Sequence, residues 1–502
     1  MQKLFQSFEK ESILYLHFKS NTNLEESLIN KADYDVLVEK RRILDVERII
    51  TENNGKRHNP PHIGNYPGVD NWLVFDDNSG EIFHLHLHYQ LATGKFLVKD
   101  YILPWEDILF STRIKDSQSG IFITDPSLEL ILLATRCVLK SKPFDFIKKI
   151  LGIYSIPKSL KKEWDDLYEK SDYENLKRYI ECLFPKKSNQ MVSYLSKERL
   201  SNNDYRGIHC IVRDEMRVHR RLSPIASVFK SSIYRIEDLS HKLWSRKFNG
   251  TPIIKKTSLQ GGLIIAFIGV DGAGKSTISN DISKWIGRKI ECKRFYMGTG
   301  DGKTTLFASL LKRINVQMPK TNKNQLGKVD DTKNEKDYKK LSFIKSPFLF
   351  LKKYMKMCLI MSVEKNNLKK IKTIYRYKLN GGISVLDRFP QVEIEGQNDG
   401  PKMPTFIKFF GDKKYVRKRM LQESRYLDIV KVVKPDIIFR LNISVETCLN
   451  RKPENTNRVM FEKKISDLNR LHFQNANIVN IDAEKTYSEE LLTIKKYLWN
   501  YI

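Results

Sequence analysis

The sequence predicts an α/β protein: a doubly wound parallel sheet over residues 259–502, preceded by an α+β domain (1–125) and a helical region with a basic connector (126–258). Three observations predict it. The stretch Gly261–Asn280, GGLIIAFIGVDGAGKSTISN, joins a short apolar run to a glycine-rich loop and then to a helix. Downstream of it, apolar runs alternate with helical stretches, as a parallel sheet with crossover helices requires. Upstream, segments of strand character give way at Ser127 to amphipathic helices. At 502 residues the chain also exceeds what one core can hold.

In chain order, residues 1–20 read as helical from Leu4, Phe5, Phe8, Ile13, Leu14 and Leu16, and a second helix starts at Leu24–Ile29. INKADYDVLVEK then carries Asp33 and Asp35 into an apolar strand. Residues i and i+2 of a strand share a face. The two carboxylates could therefore share divalent metals that hold a nucleoside triphosphate. A charged helix follows at Arg41–Thr51, and Pro60-Pro61 with Gly64–Gly68 marks a turn-rich loop before a strand pair. In IFHLHLHYQL, His84, His86 and His88 alternate with leucines, so all three imidazoles face one side. Histidines so spaced can bind zinc, but no cysteine or carboxylate is visibly placed to complete a shell. A polar groove lining is the plainer reading.

Leu128, Leu130, Ile131, Leu132, Leu133 and Val138 form one apolar surface, with further helices at Phe144–Leu151, Leu160–Ser171 and Tyr173–Phe184. Arg213–Lys256 is dense in base (Arg217, Arg220, Arg221, Arg235, Lys242, Arg246, Lys247) and ends in the NGTP turn, Asn249–Pro252. It reads as a helical connector, with a nucleic-acid tether as the alternative.

Composition narrows the classes. The formal net charge is +29. Nucleic acid and anionic surfaces are therefore partners to consider. The lysines, however, are scattered without an arginine stripe or an aromatic–basic repeat, so nucleic acid is not favoured. The cysteines (Cys137, Cys182, Cys210, Cys292, Cys358, Cys448) form no CxxC pair, which suits free thiols in a reducing cytoplasm. The N-terminus has no signal-peptide core, and Phe348–Val363 is interrupted by Lys352, Lys353 and Lys356, so no membrane span is expected. A soluble cytoplasmic protein follows.

In the C-terminal part, Leu263–Ile268 is a buried parallel strand. Gly269, Val270, Asp271, Gly272, Ala273, Gly274, Lys275, Ser276 and Thr277 then give the P-loop pattern. Glycines let the backbone wrap a phosphate with its N–H groups inward. Lys275 reaches the β- and γ-phosphates of ATP, Ser276 can ligate Mg²⁺, and the following helix directs its positive dipole end at the same anion. Ile290–Met297 is a second strand, 313–346 a mobile or poorly ordered insertion, and about 347–378 a helix. A third strand, Gly381–Leu386, ends in Asp387-Arg388-Phe389-Pro390 on the ligand-binding rim of such sheets.

GVDGAGKST (Gly269–Thr277) with LDRFP (Leu386–Pro390) resembles the thymidylate kinase family of nucleoside-monophosphate kinases. So does Lys434-Pro435-Asp436 before the strand Ile437–Ile443, followed by a helix carrying Arg451. The resemblance covers about residues 260–502. It implies an ATP- and Mg²⁺-dependent phosphotransferase in which the loop cradles ATP, with Ser276 and Asp387 as metal-side residues. It further implies that Asp271 faces the acceptor, that Arg388 holds an acceptor phosphate, and that Arg451 to Arg458 form a lid. The implied catalytic set is Lys275, Asp387, Arg388, Arg451 and Arg458. The lid is short, with Pro453 and two asparagines, and the basic element expected after strand two reads KRFYMGTGDG. The insertion and GQNDGPKMP (Gly396–Pro404) fall where an acceptor pocket would be built. Residues 20–100 resemble a nucleotidyltransferase-like domain, here degenerate: Asn30 and Ala32 replace its glycine and serine, and histidines stand where a third carboxylate is expected. An active transferase and no relationship at all are the alternatives there.

The expected partner is an anionic small-molecule acceptor, a nucleoside monophosphate first, with a homodimer left open. The two-part chain is similar to thymidylate-kinase-like proteins of bacterial gene sets, some linked to surface polysaccharide synthesis. A P-loop NTPase switch, a kinase of another phosphorylated molecule and a nucleic-acid-associated ATPase are the rival functions.

Overall fold

A computed structural model describes residues 1–61, 64–95, 97–140, 155–244, 253–298, 335–396, 399–451 and 458–502. The chain forms two compact units, Met1–Leu259 and Gln260–Ile502.

The first unit begins with helix α1 (Gln2–Lys10), strand β1 (Tyr15–His17), helix α2 (Leu24–Leu28), strand β2 (Tyr34–Val38) and helix α3 (Ile43–Glu52). Strands β3 (Gly55–Asn59), β4 (Val69–Asp76) and β5 (Glu81–His88) follow, then a small hairpin, β6 (Leu91–Thr93) and β7 (Tyr101–Leu103). After α4 (Glu106–Ser111), β8 (Ile114–Lys115) and β9 (Phe122–Ile123) come helices α5 (Pro126–Leu139), α6 (Lys158–Lys170), α7 (Tyr173–Leu183), α8 (Ser188–Leu195) and α9 (Asn202–Glu215). Helix α10 (Pro224–Trp244) and strand β10 (Thr257–Ser258) close the unit. The main sheet runs β10-β3-β4-β5-β2-β1-β9-β8.

Residues 1–20 are not one helix. Ser12 takes φ 56° after α1, and Tyr15–His17 pairs antiparallel to β2. The strand is buried on both faces: Tyr15 packs with Phe5 and Phe8, whereas Leu16 packs with the helices around α5. A run apolar on both faces has no period of two, so it passes for helix in the sequence. Helix α5 starts where Asp125 caps Ser127 N–H at 2.9 Å with Pro126 in the first turn. Its apolar residues centre a core shared with α6 to α9 and with Leu16, Leu37 and Leu103 of the strands. The expected helix Phe144–Leu151, Arg246, Lys247 and the NGTP turn lie outside the described residues.

The second unit comprises β11 (Ile264–Gly269), α11 (Lys275–Gly287), β12 (Cys292–Tyr296), α12 (Glu335–Leu379), β13 (Ile383–Asp387), α13 (Met403–Phe410) and α14 (Lys414–Val432). It ends with β14 (Ile437–Asn442), α15 (Val445–Arg451), α16 (Arg458–Asn469), β15 (Asn477–Asp482) and α17 (Tyr487–Trp499). Its sheet, β12-β13-β11-β14-β15, is parallel throughout. The central strand β11 is buried through Ile268, with Phe267 stacked on Phe439 of β14 at 5.2 Å. The chain leaves β11 to one side for β12 and β13, then crosses to the other for β14. That reversal opens a crevice at the C-terminal ends of the strands, the place where open α/β sheets bind their ligands as a rule.

The insertion expected over 313–346 is corrected at its end, where α12 is helical from Glu335; the residues before it lie outside the described ones. Lysine and glutamate make the segment look like solvated loop by composition, yet both are good helix formers. Farther along, Met357, Ile360 and Met361 of α12 pack on Met403, Phe406 and Phe410 of α13. No helix among the described residues is long and apolar enough to cross a membrane.

Candidate active site

The turn from β11 into α11 is set by its glycines. Gly272 (φ 96°) and Gly274 (φ 84°) hold left-handed backbone that other residues adopt only with strain. A Cβ on Gly269 would come within 3.1 Å of Leu441 O and 3.2 Å of the Ala273 Cβ, so any side chain there crowds β14 against the loop. Helix α11 then begins at Lys275, with Thr277 and Ile278 N–H both donating to Gly274 O at 3.0 Å.

Lys275 is buried, 6 % exposed, and its Nζ donates to Val270 O at 2.6 Å within the loop. Burial, helped by the nearby Arg388 guanidinium, lowers the ammonium to about 8. The Ser276 side chain is exposed beside it.

Asp387 and Arg388 arrive from the next strand. Asp387 is fully buried at the end of β13; its Oδ2 accepts from Arg294 Nη2 at 2.6 Å and its Oδ1 has no hydrogen-bond partner. Arg388 takes φ 72°, unusual for a residue with a side chain, while its N–H donates to Phe267 O at 3.1 Å. The guanidinium donates to Asp271 Oδ1 at 2.9 Å and lies 3.6 Å from Asp399. The other Asp271 oxygen accepts from Lys464 of α16 at 3.1 Å. Burial pushes the Asp271 carboxyl up, but Lys464, Arg388 and Lys275 outweigh it and hold the group well below the usual carboxylate range.

Thus Lys275, Asp387, Arg388 and the loop Gly269–Thr277 converge. Arg451 joins them, its Nη1 donating to Gly272 O at 3.4 Å and its Nη2 to Ala483 O at 3.2 Å. Arg458 is placed differently: it is exposed, and its ion pairs are with Glu446 at 2.6 Å and Glu462 at 2.9 Å. The lid residues between Arg451 and Arg458 lie outside the described ones.

Three participants escape sequence reasoning. Arg294 sits inside the basic stretch KRFYMGTGDG, where an arginine within a parallel strand was the available signal. Asp399 lies in GQNDGPKMP, noted for its position and not for its charge. Lys464 is one lysine among many, and nothing in the sequence marks it. Beside the loop, Asn442, Ser444, Asp482 and Glu484 line a cleft with Val270, Leu441 and Ile465. The site as a whole gathers one buried cation, Lys275, and the part-buried Arg294, Arg388 and Lys464 around the glycine-rich loop, with one buried carboxylate oxygen left free and a polar cleft alongside.

In the first unit, β2 runs parallel to β5 with Asp35 opposite His86. Asp33 meets His84 at 2.8 Å, and Asp35 lies 3.4 Å from both His86 and His88. The expectation that no carboxylate accompanies the histidines is therefore overturned: only the folded sheet brings the two strands side by side. Asp33, His84 and His86 offer ligand atoms within 4.8 Å of one another. Positive charge is already there, however: Lys19 pairs with Asp35 at 2.9 Å, and Lys256 Nζ is 3.4 Å from His84. Burial lowers both His84 and His88 to about 3, so both are neutral.

No protein-family model matches the chain. The uncharacterized ATP-binding protein YghR of Escherichia coli K12 is 28% identical over 234 residues, 46% of this chain and 85% of that protein. The uncharacterized ATP-binding protein YghS of the same strain is 23% identical over 229 residues, 45% of this chain and 89% of its own length. Among solved structures, deoxyadenosine kinase from M. mycoides with bound dCTP aligns with 48% of this chain and 100% of its own, at 18% identity and a TM-score of 0.25.

Proposed function

We propose that the second unit is an ATP-dependent, Mg²⁺-requiring phosphotransferase of thymidylate-kinase-like type, with a nucleoside monophosphate as acceptor. One observation carries the proposal: the loop between β11 and α11 meets the Asp387–Arg388 end of β13, with Arg388 donating to Asp271 of the loop at 2.9 Å. A triphosphate cradle and a second anion-binding group are thereby adjacent. The ATP-binding names of YghR and YghS agree with the first half of the proposal.

In this reading N–H groups of the loop other than that of Ala273, which donates to Val270 O at 3.2 Å, hold the β- and γ-phosphates, and Lys275 swings from Val270 O onto them. The free Oδ1 of Asp387 and the Ser276 hydroxyl fit a magnesium site, since a buried carboxylate oxygen without a partner is costly unless something occupies it. Bound Mg²⁺ would neutralise charge on the phosphate oxygens. Arg294 keeps Asp387 aimed at the cradle, and Arg451 lies within reach of charge leaving the transferred group. Arg388 orients the acceptor's phosphate. The cleft at Asn442, Ser444 and Glu484 would take the rest of ATP. No side-chain nucleophile is needed, because positioning and electrostatics do the chemistry.

A second reading has its own observation. Arg388 already bridges Asp271 and Asp399, so an acceptor phosphate must displace a carboxylate from it. An uncharged nucleoside would leave that bridge intact and use a carboxylate to orient its hydroxyl. Initial rates of ADP release decide between them. Stimulation by monophosphates over nucleosides supports the first, the reverse order the second, and hydrolysis indifferent to either class refutes both.

A further inference from the structure

The first unit holds a separate cluster of cations that the proposed phosphotransfer does not use. Lys19, Lys99, Arg136 and Lys140 line one pocket together with Phe18, His88, Leu91, Thr93 and Leu132. They come from three places in the sequence: just after β1, the β6–β7 loop, and the end of α5, where Arg136 and Lys140 stand one turn apart. Lys19 has a partner, Asp35, at 2.9 Å. Among the described residues, Lys99, Arg136 and Lys140 have no ion pair, and Lys99 only lies over the Tyr66 ring at 4.9 Å. A helix C-terminus accounts for Arg136 and Lys140. It does not account for Lys19 and Lys99 converging on the same pocket, where like charges in partly buried surroundings repel one another. Burial, then Lys19, Lys140 and Arg136, lower Lys99 to about 7, and Arg136, then burial, lowers Lys140 to about 8.

Two more groups at the pocket lack what burial demands. Thr93 is 5 % exposed and its hydroxyl has no hydrogen-bond partner. His88 is 7 % exposed; its Nε2 faces Asp35 at 3.4 Å and its Nδ1 has no partner. With the single proton of the neutral ring on Nε2 toward the carboxylate, Nδ1 is an acceptor. A ligand that suits all of these groups brings a dianion for the cations and Thr93, and a hydroxyl for His88.

We infer that this pocket binds the phosphate group of a small hydroxylated phosphate monoester, anchored by Lys19, Lys99, Arg136, Lys140 and Thr93. The site is independent of the phosphate loop of the second unit. Inorganic phosphate shares the anchoring chemistry but lacks the hydroxylated body, so it binds here more weakly than a monoester does.

The test uses the full chain carrying Lys275→Ala and Arg388→Gln, which remove the phosphate-loop lysine and the proposed acceptor-phosphate arginine of the second unit. Inorganic phosphate, a sugar monophosphate, a nucleoside monophosphate and a short single-stranded oligonucleotide are titrated by calorimetry in low salt, with melting temperature as a second readout. Expected are saturable monoester binding, a rise in melting temperature with it, and weaker binding of inorganic phosphate. Adding Lys99→Met or Arg136→Gln weakens the monoester by at least about tenfold, the scale of one lost charge-assisted bond. Arg136→Lys retains most of the affinity. Without ligand, Lys99→Met melts no lower than its parent, because it removes a repelled charge; this separates loss of binding from loss of fold. No saturable monoester binding, binding indifferent to Lys99→Met and Arg136→Gln, or an oligonucleotide held more tightly through the same residues overturns the inference.

Discussion

Lys275 is where folding and the proposed chemistry pull in opposite directions. Its folded pKa of about 8 lies below the ordinary 10.5, so between those values the unfolded chain binds more protons than the folded one. Stability therefore rises as pH rises from about 8 toward 10.5, and at neutral pH the buried ammonium costs on the order of a few kcal/mol. Lys275→Met, which keeps the apolar stem, should melt higher than wild type at pH 7, and that advantage should shrink through the same window. Melting curves at pH 7 and pH 10 check this; an advantage that does not change with pH contradicts the assigned burial cost. Arg388→Lys tests the neighbouring position. A planar fork that holds Asp271 and Asp399 and exchanges one of them for an acceptor phosphate is not replaced by a point charge. The acceptor KM should rise about tenfold or more while the KM for ATP changes little. An unchanged acceptor KM removes Arg388 from phosphate recognition.

The strand pair β2 and β5 yields a prediction at the next scale. The carboxylates Asp33 and Asp35 face histidines and lysines, where a two-metal site needs a third carboxylate. The first unit should therefore transfer no nucleotide: incubation with labelled ATP and GTP should give no labelled product sensitive to Asp33→Asn. Robust Asp33-dependent transfer would reverse that conclusion. The same strands set acid sensitivity. His84 and His88 titrate near 3 when folded against the ordinary 6.5, so the unfolded chain takes up protons first as pH falls. Stability from these groups is full above about 6.5 and is lost toward 3. His88→Phe, which keeps the edge contact with Phe18 at 4.8 Å, should flatten part of that loss in a melting series from pH 7 to pH 4. The sequence made the local elements legible, because Gly269–Thr277 is contiguous and the loop, its strand and its helix are neighbours in the chain. β13 and β14 were legible as well, since both are continuous apolar runs ending at polar rims. What stayed hidden depends on pairing between distant segments. Asp33 beside His84, Lys464 on Asp271, and Lys99 beside Arg136 become neighbours only through sheet register and helix packing. The strand at Tyr15–His17 was missed because burial on both faces erases its alternation.

Across the whole molecule, only a few of the charges behind the net +29 fall at the glycine-rich loop of one unit and the cationic pocket of the other. The remaining lysines are dispersed, so nucleic-acid affinity should be weak and strongly dependent on salt. The activity proposed for the second unit moves the γ-phosphoryl group of ATP onto a small acceptor. Following a γ-labelled phosphate from ATP, with Mg²⁺ present, into each of the nucleoside monophosphates tests it most directly, in wild type and in a folded Lys275→Ala chain. Label is expected in one monophosphate's product with wild type, with a loss of at least about a hundredfold in Lys275→Ala, the scale of one lost transition-state contact. Label that appears only as inorganic phosphate, or full transfer by Lys275→Ala, would contradict it.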